Sequence, residues 1–166
     1  MKYINLMNAF HRCDVSQDKE FQKTYNGFYR MRQRKQEFYQ IYFEYMEKHK
    51  YSPVSFDDVI TYLYNFTSRY EPSFSSKLLA TINPDMPVWD KIVLSQLSIK
   101  PPPYNSKNRL KEIINIYSVI EDWYIHYLET KNSKDVIYIF DKTFPDTQIT
   151  NIKKIDLALW SMGEKQ

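Results

Sequence analysis

Residues 106–130 read SKNRLKEIINIYSVIEDWYIHYLET, and this stretch decides the fold class. Apolar side chains at Leu110, Ile113, Ile114, Tyr117, Ile120, Tyr124, Tyr127 and Leu128 recur in steps of three and four. That is the period of a helix with one buried face. Towards the N-terminus, Pro101-Pro102-Pro103 makes a stiff extended spacer. Asp90, three residues after Pro87, is placed to cap a helix carrying Ile92, Val93, Leu97 and Ile99. Pro72 and Ser73 open a helix with Phe74, Leu78, Leu79 and Ile82 on its inner side, and Asn83-Pro84-Asp85 ends it. Ser55 with Asp58 has the spacing of a capping box, followed by Val59, Leu63 and Phe66.

The N-terminal third predicts one long helix. Ser16 caps it, apolar residues from Phe21 to Met46 keep helical spacing, Gly27 kinks it, and it stops near His49 before Ser52-Pro53. Residues 1–15 are expected to be a lead segment with at most one turn. Beyond residue 130, Asn132-Ser133 breaks the pattern. Residues 136–140, Val-Ile-Tyr-Ile-Phe, suit a strand by type, but no partner strand exists, so a buried helix is expected. Asp146 or Thr147 caps a last helix carrying Ile149, Ile152, Ile155, Leu159 and Trp160, with Gly163 at its end. The expectation is an all-α fold, a single helical domain over residues 1–166 with about seven helices.

Composition narrows the function. With 43% hydrophobic and 26% charged residues the chain reads as globular rather than disordered. No apolar run approaches the ~20 residues a membrane span needs, and no signal peptide pattern opens the chain, so a cytoplasmic protein without a membrane partner is expected. Cys13 is the only cysteine, which excludes intramolecular disulfides and Cys-rich metal sites. The two glycines exclude both GxGxxG and GxxxxGK[ST] phosphate loops, and leave few residues free to take positive φ. His11, His49 and His126 lie far apart with no metal-ligand spacing, so neither metal nor cofactor is expected.

Charge is unevenly spread. Residues 23–35 hold Lys23, Arg30, Arg32, Arg34 and Lys35 without an acid, and residues 91–111 hold Lys91, Lys100, Lys107, Arg109 and Lys111, again without one. The whole chain is only +3, so the remainder is net acidic. Such clusters are either solvated helix faces or a basic surface for a polyanion. Arg30 and Arg34, four residues apart, are expected on one helix face.

Between residues 69 and 97 two helix starts follow each other. Arg69 precedes Pro72, the hydroxyls of Ser73, Ser75 and Ser76 crowd the first start, and Lys77 lies just inside it; Asp90 marks the second. Helix starts expose unpaired N–H groups and a positive dipole end, which suit a phosphate. Lys77, with Pro87-Val88-Trp89-Asp90 after it, resembles the helix-hairpin-helix/Gly-Pro-Asp DNA glycosylase superfamily, notably bacterial proteins described as 8-oxoguanine-glycosylase-like. Ile155-Asp156-Leu157-Ala158-Leu159-Trp160 adds to the likeness. The resemblance implies a glycosylase-like helical core and base excision on damaged DNA. In that reading Lys77 is the Schiff-base nucleophile and Asp90 stabilises the oxocarbenium charge. Trp89 would stack on the flipped base, while Arg30, Arg34, Arg69, the three serines and Lys91 would hold phosphates. This sequence lacks the family's hairpin glycines, and its Lys-to-Asp interval is shorter. The other reading is a non-catalytic helical module binding nucleic acid or protein. Each residue also has an ordinary structural role available: Asp90 as a cap, Lys77 lying along an apolar boundary, Trp89 in a core.

Overall fold

The computed structural model describes residues 1–163. Among them every regular element is a helix, and there are nine rather than about seven. The chain folds as two compact units, the first covering Met1–Ile82 and the second beginning at Asn83.

The first unit holds α1 (Lys2–Arg12), α2 (Lys19–Phe28), α3 (Gln36–Lys48), α4 (Phe56–Thr67) and α5 (Pro72–Ile82). The lead segment is thus a three-turn helix, with Tyr3, Leu6 and Phe10 buried on one side. Asp18, not Ser16, caps α2, its carboxylate accepting from the Phe21 N–H at 2.8 Å. Ser16 instead donates its hydroxyl to Asp14. The expected long helix is two helices, because the chain turns sharply after Phe28. Arg30 takes φ 47°, its N–H bonds to the Gly27 carbonyl and that of Met31 to Asn26. This double bond is a Schellman stop, with an arginine where glycine is usual.

The same device ends α6 (Lys91–Gln96) in the second unit. There Ser98 has φ 53°, its N–H bonds to Ser95, and Ile99 bonds back to Leu94 at 2.9 Å. The low glycine count therefore did not limit positive φ: Arg30, Ser68, Ser98 and Asp146 all adopt it. A left-handed L-residue costs about 1 kcal/mol, so Ser98→Gly is expected to raise stability by about that much in urea denaturation.

Tyrosines pin the first unit. The Tyr25 and Tyr42 hydroxyls meet at 2.8 Å, and Tyr42 donates to the Phe74 carbonyl at 3.0 Å, tying α2, α3 and α5 together. Both are fully buried. The Ser55–Asp58 capping box forms as its spacing predicts.

The second unit holds α6 (Lys91–Gln96), α7 (Arg109–Leu128), α8 (Lys131–Thr143) and α9 (Asn151–Gly163). Asp90 caps α6, accepting from the Val93 N–H at 2.9 Å. α7 matches the amphipathic stretch, with Ile113, Tyr117, Ile120 and Tyr124 buried. Asn132-Ser133 does not break the pattern. Thr130 is the cap of α8, and Ser133 sits inside its first turn with the hydroxyl donated back to the Leu128 and Thr130 carbonyls. Residues 136–140 are helical as expected, but only Phe140 is buried; Tyr138 and Ile139 face solvent. Neither Asp146 nor Thr147 caps α9, which starts after Thr150. The Thr150 hydroxyl accepts from the Lys153 N–H and donates to the Pro84 carbonyl at 2.7 Å. No described helix is long and apolar enough to cross a membrane.

Candidate nucleic-acid interface

The start of α5 is where charge gathers in the first unit. Glu71 is the residue before the helix, and its carbonyl accepts from the Ser75 N–H and hydroxyl. Pro72 follows at the first helical position, which has no N–H to leave unpaired. A carboxylate at this end is favoured by the helix dipole. Onto it the loop between α2 and α3 delivers Arg34, whose Nε and Nη2 donate to the two Glu71 oxygens at 3.0 Å each. Arg69, from the turn between α4 and α5, brings its Nε to 3.5 Å from the same carboxylate while its side chain stays 61% exposed. The Phe74 ring sits below. The Arg34 guanidinium lies 4.8 Å from its centroid and the Lys77 ammonium 6.0 Å. Arg34 thus links the Glu71 carboxylate, which Arg69 also contacts, to the ring that Lys77 reaches, and these four charges sum to net positive.

The residues singled out in the sequence divide sharply. Arg34 and Lys77 reach the Phe74 ring, and Arg34 and Arg69 share the Glu71 carboxylate. Arg30 is exposed, but in the left-handed turn after α2, so Arg30 and Arg34 are loop residues rather than one helix face. Ser73 is half-buried at the start of α5. Ser75 and Ser76 are fully buried, with hydroxyls donated to the Glu71 and Ser73 carbonyls. Those donations leave no hydroxyl proton for a phosphate.

Asp90, Trp89 and Lys91 belong to the second unit. Trp89 is 3% exposed and so presents no open face for stacking. Lys91 is exposed in the first turn of α6. Asp90 is half-buried and held by its capping bond. No group of three or more metal-ligating side chains occurs among the described residues.

A second polar centre lay outside the sequence reading. Lys153 and Asp156, one turn apart on α9, form an ion pair at 3.0 Å with both side chains wholly buried. The Tyr124 hydroxyl of α7 donates to the other Asp156 oxygen. Burial raises the Asp156 carboxyl, an effect that Lys153 and the Tyr124 bond oppose and Asp90 reinforces. Burial pushes the Tyr124 phenol well up, with the Asp156 charge adding to it. The only signal in the sequence was a Lys and an Asp three apart on the inner stripe of an apolar helix. Glu71 was missed likewise, since its partner Arg34 is 37 residues away.

Comparison of the chain with protein-family models, curated proteins and solved structures finds no match. What fold and site define is an all-α chain whose first unit carries a basic cluster at a helix start.

Proposed function

We propose that the chain binds nucleic acid, duplex DNA in the first instance, through the first unit. One observation carries the reading: at the start of α5 Arg34 and Arg69 meet at Glu71, and Arg34 and Lys77 both reach the Phe74 ring. Guanidinium forks recognise phosphates bidentately, and a helix start adds backbone N–H groups and dipole. Arg30, Arg32 and Lys35, exposed in the loop that carries Arg34, extend the basic surface. Base excision is the finer reading. It draws on the resemblance, in which Lys77 supplies the amine and Asp90 the carboxylate.

Fluorescence anisotropy with a labelled 20-base-pair duplex tests the binding. Arg34→Gln combined with Arg69→Gln is expected to weaken it about tenfold at low salt, since each lost phosphate contact removes roughly one counterion release. Helix content measured in parallel shows that the variant is folded. Borohydride reduction on an abasic duplex tests the finer reading. An adduct lost in Lys77→Gln extends the function to glycosylase chemistry, whereas binding without an adduct leaves a non-catalytic module. No binding at low salt sinks both, and a protein partner becomes the better reading.

A further inference from the structure

The carboxylate of Glu71 stands where an incoming phosphate would be held. Its two oxygens take both donors of the Arg34 fork, and its place before α5 is the end of the helix that favours an anion. The guanidinium fork matches carboxylate and phosphate alike, so the two compete for one seat. We infer that Glu71 is an internal competitor: it occupies the phosphate seat of the free protein, and a nucleic-acid phosphodiester binds by displacing it from Arg34. The inference rests on the nucleic-acid reading above and adds how that site is regulated.

Three features make the exchange workable. The Glu71 side chain is 11% exposed and that of Arg34 19%, so the pair is shielded yet in reach of solvent beside the open Arg69. Arg34 is carried by a loop outside both flanking helices, and its guanidinium rests on the Phe74 ring at 4.8 Å. That contact keeps a cation at the seat while its fork turns from one anion to another. Arg69 brings its Nε to 3.5 Å from the carboxylate with its side chain 61% exposed, so a second phosphate oxygen can reach it from solvent. A buried pair of this kind resists a single weak anion. It yields to a polyanion whose other phosphates are held by Arg30, Arg32 and Lys35 nearby in sequence.

The experiment compares wild-type protein with Glu71→Gln on the same labelled duplex at 50 and 150 mM salt. Glutamine keeps the length and one of the two Arg34 acceptors but removes the charge. The variant is expected to bind three- to tenfold more tightly. Glu44→Gln, which removes an equal charge from an exposed position on α3, is expected to stay within twofold. Wild-type binding with Glu71→Gln equal or weaker overturns the inference, and so does equal tightening by Glu44→Gln. Absence of wild-type binding is a different failure, since it removes the nucleic-acid reading itself. A measurement on unmodified protein makes the result independent of the variants' folding: the Arg34 Nε–H resonance is expected to move when the duplex is added. A resonance that stays fixed while the duplex binds contradicts displacement.

Discussion

Above pH 10 the protein is expected to lose stability steeply. Four tyrosines drive this, Tyr25 and Tyr42 in the first unit and Tyr117 and Tyr124 in the second. Burial raises each phenol well above 10, with neighbouring acids or phenols adding to it. A group whose folded pKa is raised contributes its full stability below the unfolded value and loses it as pH climbs towards the folded one. The window therefore opens near pH 10 and extends upward. Each phenol takes away about 1.4 kcal/mol per pH unit there, so two in one unit remove about 3 kcal/mol per pH unit. The chain has 15 tyrosines, four of which are these buried phenols. Absorbance of tyrosinate at about 295 nm, followed with helix ellipticity, separates the two groups. The last phenols are expected to ionise only as helix is lost. All of them ionising near pH 10 with helix intact contradicts the buried network.

Asp156→Ala is expected to destabilise the second unit by about 3–5 kcal/mol, because it strands a buried ammonium and leaves the Tyr124 hydroxyl without its acceptor. The pair itself is a different matter. Burial raises the Asp156 carboxyl above its ordinary 3.8, so its contribution is greatest in acid and declines as pH rises past that value towards the folded one. Replacing both groups, Lys153→Met with Asp156→Leu, is then expected to stay within about 1 kcal/mol of wild type or exceed it. Urea denaturation of the single and double variants checks this. Equal losses in both would mean that the ion pair, rather than the stranded charge, carries the stability.

Local signals were legible in the sequence. The Ser55–Asp58 box, Pro72 opening α5, Asp90 capping α6 and the stripe of α7 all rest on residues within a turn or two of each other. The split between α2 and α3 was not, because its stop uses Arg30 in a conformation usually marked by glycine. The fully helical lead segment was hidden because α1 shows only three inward residues, Tyr3, Leu6 and Phe10. At the site, Arg34, Arg69 and Lys77 were legible as residue types. Their meeting around Phe74 and Glu71 depends on contacts up to 37 residues apart, which periodicity does not encode. Ser75, Ser76 and Trp89 had suitable chemistry, but their burial follows from packing between helices.

The salt dependence of duplex binding tests the central claim most directly. With Arg34, Arg69 and Lys77, and Arg30, Arg32 and Lys35 of the loop, each neutralising a phosphate, the logarithm of affinity is expected to fall with the logarithm of salt at a slope of about −5.4. Removing Arg34 and Arg69 together is expected to flatten that slope to about −3.6. A slope near zero in the wild type, or a steep one unchanged by removing both arginines, contradicts the assignment of the α5 cluster as the binding surface.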